Sequence, residues 1–194
     1  MPTETVYGLA ANAYSSKAVL EIFKLKKRPK NNPLIVHYES LEMLKSDCIL
    51  NKNFTHLYNK FCPGPLTFIL KLKKDSKISK FVTNKKKTLA VRFPSHPRAK
   101  SLLKILNYPL AAPSANISSR VSPVTKNHVK EEFGKKIKYI IEGGLSKIGL
   151  ESTIINLIGK PEVLRIGSID INKSVSYTHL RAHETRGNIV CRLL

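Results

Sequence analysis

Acidic side chains are scarce in this chain: 13 Asp and Glu stand against 34 Lys and Arg in 194 residues, a formal charge of +21. That balance speaks against basic partners and for polyanions such as nucleotides or RNA. Charge alone does not choose between them, because lysine dominates in a chain also rich in Asn and Ile, a composition bias that weakens the excess as evidence for nucleic-acid binding. Cysteine is equally sparse. Cys48, Cys62 and Cys191 are odd in number and contain no CxxC pair, which argues against a disulfide framework and a thiolate zinc site and for reduced thiols. No apolar run approaches the roughly 20 residues of a membrane span, and no charged-then-apolar leader opens the chain. The expectation is a soluble cytoplasmic protein with no membrane association. The GxxxxGK[ST], GxGxxG and HExxH signatures are missing, so a nucleotide site must be assembled from scattered residues. His37, His56, His96 and His128 show no metal-ligand spacing, and no zinc is expected.

What remains is a chain that is 42% hydrophobic and long enough to bury one substantial core. Short apolar runs alternate with helical patterns. Strands are expected at 33–36, 66–70, 89–93, 109–112, 139–141, 152–155 and 163–166, with helices around Ala18–Leu25, Leu41–Leu44, Leu57–Phe61, Leu102–Leu106 and Val129–Phe133. Between them, Pro63-Gly64-Pro65 reads as a rigid turn, and the lysine-studded segment 71–87 reads as a solvated loop or edge, with RNA contact as the alternative.

The stretch KKRPKNNPLIVH at 26–37 joins a helix, a stop and a buried strand. Ser15 or Ser16 can cap the helix. Pro29 forces the residue before it out of helical space, which predicts Lys26, Lys27 and Arg28 in the last turn. Two readings stand side by side. Cations at a helix C-terminus complement the macrodipole for about 0.3–1 kcal/mol. Alternatively, Lys26, Arg28 and Asn32 form a triphosphate clamp, with Arg28 gripping two phosphate oxygens and Lys26 supplying a mobile charge.

Other positions stand out. In the opening PTETVYGL, Thr3 and Thr5 put two hydroxyls on a loop where Gly8 permits close approach of backbone to ligand. Arg92 interrupts an apolar strand and is costly there unless paired, so it is expected to face a polar site and hold a carboxylate. Ser114 and Asn116 follow a proline at a strand end, where open sheets bind ligands, although the same residues also make ordinary turns. Arg165 is a second arginine inside an apolar strand.

Six ordered blocks together, PTETVYGLAANAY at 2–14, KLKKRPKNNPLIVH at 24–37, CPGPLTFIL at 62–70, LAVRFPSHP at 89–97, APSANIS at 112–118 and GLESTIINL with LRIGS later, resemble the YrdC-like family of threonylcarbamoyl-AMP synthases. The resemblance implies a twisted mixed β-sheet flanked by helices, an α/β (α+β) architecture with a basic concave cavity. It further implies an enzyme that makes threonylcarbamoyl-adenylate and pyrophosphate from L-threonine, bicarbonate or CO2, and ATP with Mg2+. A partner transferase complex then modifies an adenosine beside the tRNA anticodon, with direct tRNA contact an open question. Carried over by position, Lys26 and Arg28 are the catalytic phosphate motif. Thr5, His37, Arg92, Ser114 and Ser152 fall at threonine-binding positions. ATP-side positions are Lys26, Arg28, Asn32, Thr88, Asn116, Ser122 and Arg165, and no protein metal ligand is expected.

The domain implied spans 1–170 and lacks the helix and strand that usually precede the PTET block. Residues 175–194 resemble a read-through tail rather than a natural terminus. Two other functions fit parts of the pattern: a non-catalytic RNA-binding module using the same basic cavity, and a carbamoyl-adenylate-forming carbamoyltransferase domain.

Overall fold

The first helix shows how the chain places its cations. Ser15 accepts the amide of Ala18 and starts α1, Ser16–Lys26, whose Val19, Ile22 and Phe23 face the core. Its end differs from the sequence expectation. Lys27 adopts a left-handed backbone (φ 49°), its amide donates to Lys24 O, and the Arg28 amide donates to Phe23 O at 3.0 Å. This paired closure ends the helix at Lys26 and leaves Arg28 beyond it. Pro29 forbids continuation, but the chain has already turned.

Residues 1–169 and 181–182 are described by the computed structural model. In chain order the remaining elements are β1 Ala11–Asn12, β2 Ile35–His37, α2 Leu41–Asp47, β3 Cys48–Ile49, α3 Lys52–Phe61, β4 Leu66–Leu72, α4 Lys80–Thr83, β5 Thr88–Arg92, α5 Pro97–Ile105, β6 Leu110–Ala111, α6 Lys126–Phe133, β7 Thr153–Asn156, β8 Glu162–Arg165 and β9 Arg181–Ala182. The strands form one mixed sheet in the order β1-β6-β2-β5-β4-β7-β8-β9, with β3 added to β4. β2 runs parallel to β5 and β4 parallel to β7, while β4 and β5 are antiparallel. Most of the segment expected to be a tail lies outside the described residues, as does Cys191. Arg181–Ala182 pair with Glu162–Val163 of β8.

Alternation gives this sheet two unlike faces. Val36, Phe68, Leu70, Leu89, Val91 and Ile155 point to one side and are buried with Val19, Ile22, Phe23, Phe54 and Leu57 from α1 and α3. Phe54 meets Phe68 edge-on with centroids 5.1 Å apart. The intervening residues Ile35, His37, Ile69, Ala90, Arg92 and Ile154 point the other way and line a cavity. A second cluster of Tyr7, Ala115, Val129 and Phe133 seats α6 over the loops beside that cavity.

One expected strand is not formed. Residues 139–141 have no ladder partner; Ile140 packs against the second cluster, and Tyr139 is exposed. The apolar run there serves packing against α6 and not pairing. The segment 71–87, expected as loop or edge, contains the end of β4 and the one-turn α4, whose Val82 is fully buried. Among the described residues, no helix is long and apolar enough to cross a membrane.

Candidate active site

The cavity holds about 310 Å³, enough for a small-molecule site, and sits over the ends of β2 and β5. Those strands are parallel and in register, so His37 and Arg92 are Cα partners and arrive together. The opening loop closes over them. Thr3 Oγ1 donates to Val6 O at 2.6 Å and accepts the amides of Thr5 and Val6, a side-chain turn that holds the Thr5 hydroxyl 2.9 Å away. Gly8 then bridges to Ser114, and a Cβ on it would meet Ala112 Cβ at 3.3 Å. A side chain at that position would push the two loops apart.

One end of the cavity is rich in paired groups. Arg92 is buried; Nη1 donates to Thr5 Oγ1 at 2.8 Å, Nη2 to Glu4 Oε1 at 2.6 Å, and Nε to Gly64 O at 3.4 Å. Glu4 Oε2 accepts the amides of Ser95 (3.0 Å) and His96 (3.3 Å) at the start of α5. Arg92 is therefore paired within the protein, with one N–H left over on each Nη. His37 is fully buried; its ring approaches the Leu110 backbone, but neither nitrogen has a partner in good hydrogen-bond geometry. Burial, and then the nearby Arg92 charge, hold its pKa well below the usual histidine value, so it is neutral at physiological pH. Ser152 also lines the cavity, its hydroxyl 2.8 Å from that of Thr67.

Arg165 comes next. It grips Ser152 O at 2.9 Å and pairs with Glu151, whose other oxygen accepts the Ser122 hydroxyl at 3.2 Å. The far end is cationic and open. Arg28 lines it, donating to Asn32 O (3.2 Å) and Pro33 O (3.0 Å), and exposed Lys86 and Asn32 complete the mouth. Among the described residues, no carboxylate lies within ion-pair distance of Arg28 or Lys86.

Of the positions singled out in the sequence, the structure brings Thr5, Arg28, Asn32, His37, Arg92, Ser114, Ser152 and Arg165 to this one cavity. Four others sit outside its lining. Lys26 is buried behind it, its ammonium donating to Ser114 O at 2.5 Å, to Asn116 O, and to Asn116 Oδ1 at 3.4 Å. All three ammonium hydrogens are thus spent on the 114–116 loop, so Lys26 is a fixed tie and not a mobile charge. Burial, with repulsion from Arg28, brings its pKa down to about 8. Asn116 donates to Ile117 O and Arg120 O and so builds the same loop. Ser122 supports Glu151, and Thr88 lies at the other end of β5 from Arg92.

Sequence reasoning passed over Glu4, Lys86 and Glu151. Glu4 had a readable signal, a carboxylate between two hydroxyl residues in a chain poor in acids. Lys86 had none, since nothing separates it from its lysine neighbours. As for metal, among the described residues no three His, Cys, Asp or Glu side chains cluster to hold an ion. Among the described residues Glu151 is the one carboxylate in the lining, and it is occupied by Arg165 and Ser122.

The Sua5/YciO/YrdC family model, described as telomere recombination, matches residues 1–167. A threonylcarbamoyl-AMP synthase of Schizosaccharomyces pombe is 42% identical over 195 residues, 89% of this chain and 48% of that protein. One from Pyrococcus abyssi is 46% identical over 167 residues, 84% of this chain and 48% of that protein. The chain thus spans about half the length of these relatives. Among solved structures, P. abyssi Sua5 complexed with L-threonine superposes with a TM-score of 0.90 at 42% identity, covering 94% of this chain and 54% of that one. E. coli YciO gives 0.78 at 26% identity, covering 88% and 82%. The chain belongs to the Sua5/YciO/YrdC family.

Proposed function

We propose that this chain carries the threonylcarbamoyl-AMP synthase activity of its relatives, forming threonylcarbamoyl-adenylate and pyrophosphate from L-threonine, bicarbonate or CO2, and ATP. The observation that carries this reading is the juxtaposition, in one cavity, of a hydroxyl-lined, charge-balanced end with an open cationic end. A zwitterionic amino acid suits the first. A triphosphate suits the second.

Threonine lies with its carboxylate toward the unspent N–H groups of Arg92 and its hydroxyl toward Thr5 and Ser152. Neutral His37, with one donor and one acceptor unpartnered, takes part in holding the amine. The amine adds CO2 and loses a proton to give a carbamate, a species short-lived in water, and a closed cavity keeps it against the α-phosphate. A carbamate oxygen attacks that phosphorus, and the bond to the β-phosphate oxygen breaks as pyrophosphate departs. Arg28, Arg165 and Lys86 meet the charge that develops on the phosphates. No side chain need become covalently modified. Lys26 and Asn116 act by holding the Ser114 loop in place.

The described residues do not make a magnesium site of their own. Any Mg2+ would arrive on the phosphates of ATP and add its charge to that of Arg28 and Lys86 there. Release of the adenylate to a tRNA-modifying transferase, in the cytoplasm, completes this reading.

The test is formation of labelled threonylcarbamoyl-adenylate from 14C-bicarbonate, ATP and threonine. Product that requires all three supports the assignment. A folded protein that yields none, with or without threonine, overturns it.

A further inference from the structure

We infer that Glu4 is a specificity-determining residue: by neutralising Arg92 it keeps the amino-acid end of the cavity open to a zwitterion and closed to phosphate. This rests on the threonine and ATP reading above and adds to it how the two substrates are sorted. Glu4 does not line the cavity. It stands behind Arg92, at 2.6 Å, with side chains only 11% and 5% exposed, so water and salt screen the pair weakly. Its second oxygen is fixed by the Ser95 and His96 amides.

The consequence is electrostatic. An arginine without a partner at this depth binds phosphate oxygens well and repels an ammonium. Threonine brings an ammonium to within a few ångströms of that guanidinium, next to a histidine that carries no charge of its own. With Glu4 in place, each Nη keeps a hydrogen for a carboxylate while the local net charge is close to zero. Arg28 has only carbonyl partners, so phosphate is drawn to its end instead. A purely structural brace would fix the loop before α5 without sorting ligands.

The experiment is calorimetric titration of L-threonine into the protein, with and without millimolar inorganic phosphate, for the wild type, Glu4→Gln and Glu4→Asp. In the wild type, phosphate leaves threonine affinity unchanged. In Glu4→Gln, threonine affinity falls roughly tenfold or more and phosphate becomes competitive with it, because a like charge now faces the ammonium. Glu4→Asp, which keeps the charge, restores indifference to phosphate even if threonine binds more weakly. A structural role alone would lower the melting temperature of both variants and leave phosphate non-competitive in both, and that result overturns the inference. If Glu4→Gln does not fold, the wild type decides, since competitive displacement of threonine by phosphate there also overturns it. A wild-type protein that binds no threonine overturns the functional reading together with this one. Threonine binding with Glu4→Gln indistinguishable from wild type overturns the Glu4 inference alone.

Discussion

The two ends of the cavity use the same cation in opposite ways. Arg92 is buried and matched by Glu4; Arg28 is partly exposed, unmatched, and tied only to the carbonyls of Asn32 and Pro33. Arg165, matched by Glu151, lies between them and feels Arg92, as Arg28 feels Arg165. The difference teaches that burial and ligand binding compete for the same hydrogens. A guanidinium sunk into the sheet must be satisfied by the protein, whereas one at the mouth can wait for a substrate.

Breaking the matched end should have the largest effect. Arg92→Ala leaves Glu4 buried without its cation and should lower stability by about 3–5 kcal/mol, measured by urea unfolding. A loss below about 1 kcal/mol would place Arg92 among ordinary surface pairs. At the unmatched end the effect moves from stability to rate. Arg28→Ala should reduce product formation by about 10²–10³-fold while stability changes by no more than about 1 kcal/mol.

Lys26 sharpens the contrast, because it is buried like Arg92 yet has only neutral oxygens as ligands. Its folded pKa, about 8, lies below the ordinary lysine value, so above pH 8 the unfolded chain holds more protons at this site than the folded one. Stability should therefore rise with pH between about 8 and 10.5, by on the order of 3 kcal/mol relative to Lys26→Met, in which the increment is missing. An identical slope in the two proteins would contradict the burial argument. The smallest effect belongs to Ser152. Ser152→Ala removes one partner of Thr67 and of Arg165 and should cost about 1 kcal/mol, read as a several-fold rise in the threonine KM with little change in kcat.

How much of this was legible in the sequence follows the same division. The apolar face of the sheet was, because Phe68, Leu70, Leu89 and Val91 alternate or cluster in the manner that buried strands require. Strands as short as Ala11–Asn12 and Cys48–Ile49 carry too few residues for any period to show. The cationic end was legible in part: a lone arginine after a capped helix attracts notice, but Lys86 has no local mark and reaches the cavity only through tertiary placement. The surroundings of Lys26 were not legible, since nothing in KKRP reveals that oxygens of the 114–116 loop would converge on its ammonium. Glu4 was noticeable as an acid between two threonines, but its partner was not, because the pair with Arg92 spans 88 residues of sequence. Residues 139–141 looked like a strand because they are apolar, but they form no ladder, and Ile140 packs against the Tyr7 cluster instead.

The most direct measurement of the two-ended account is equilibrium binding of ATP and of L-threonine, each titrated separately, to the wild type and to Arg28→Ala. The account predicts that the variant loses roughly 100-fold in ATP affinity while its threonine affinity stays within about twofold of wild type. Equal losses for both ligands, or a loss confined to threonine, would contradict it.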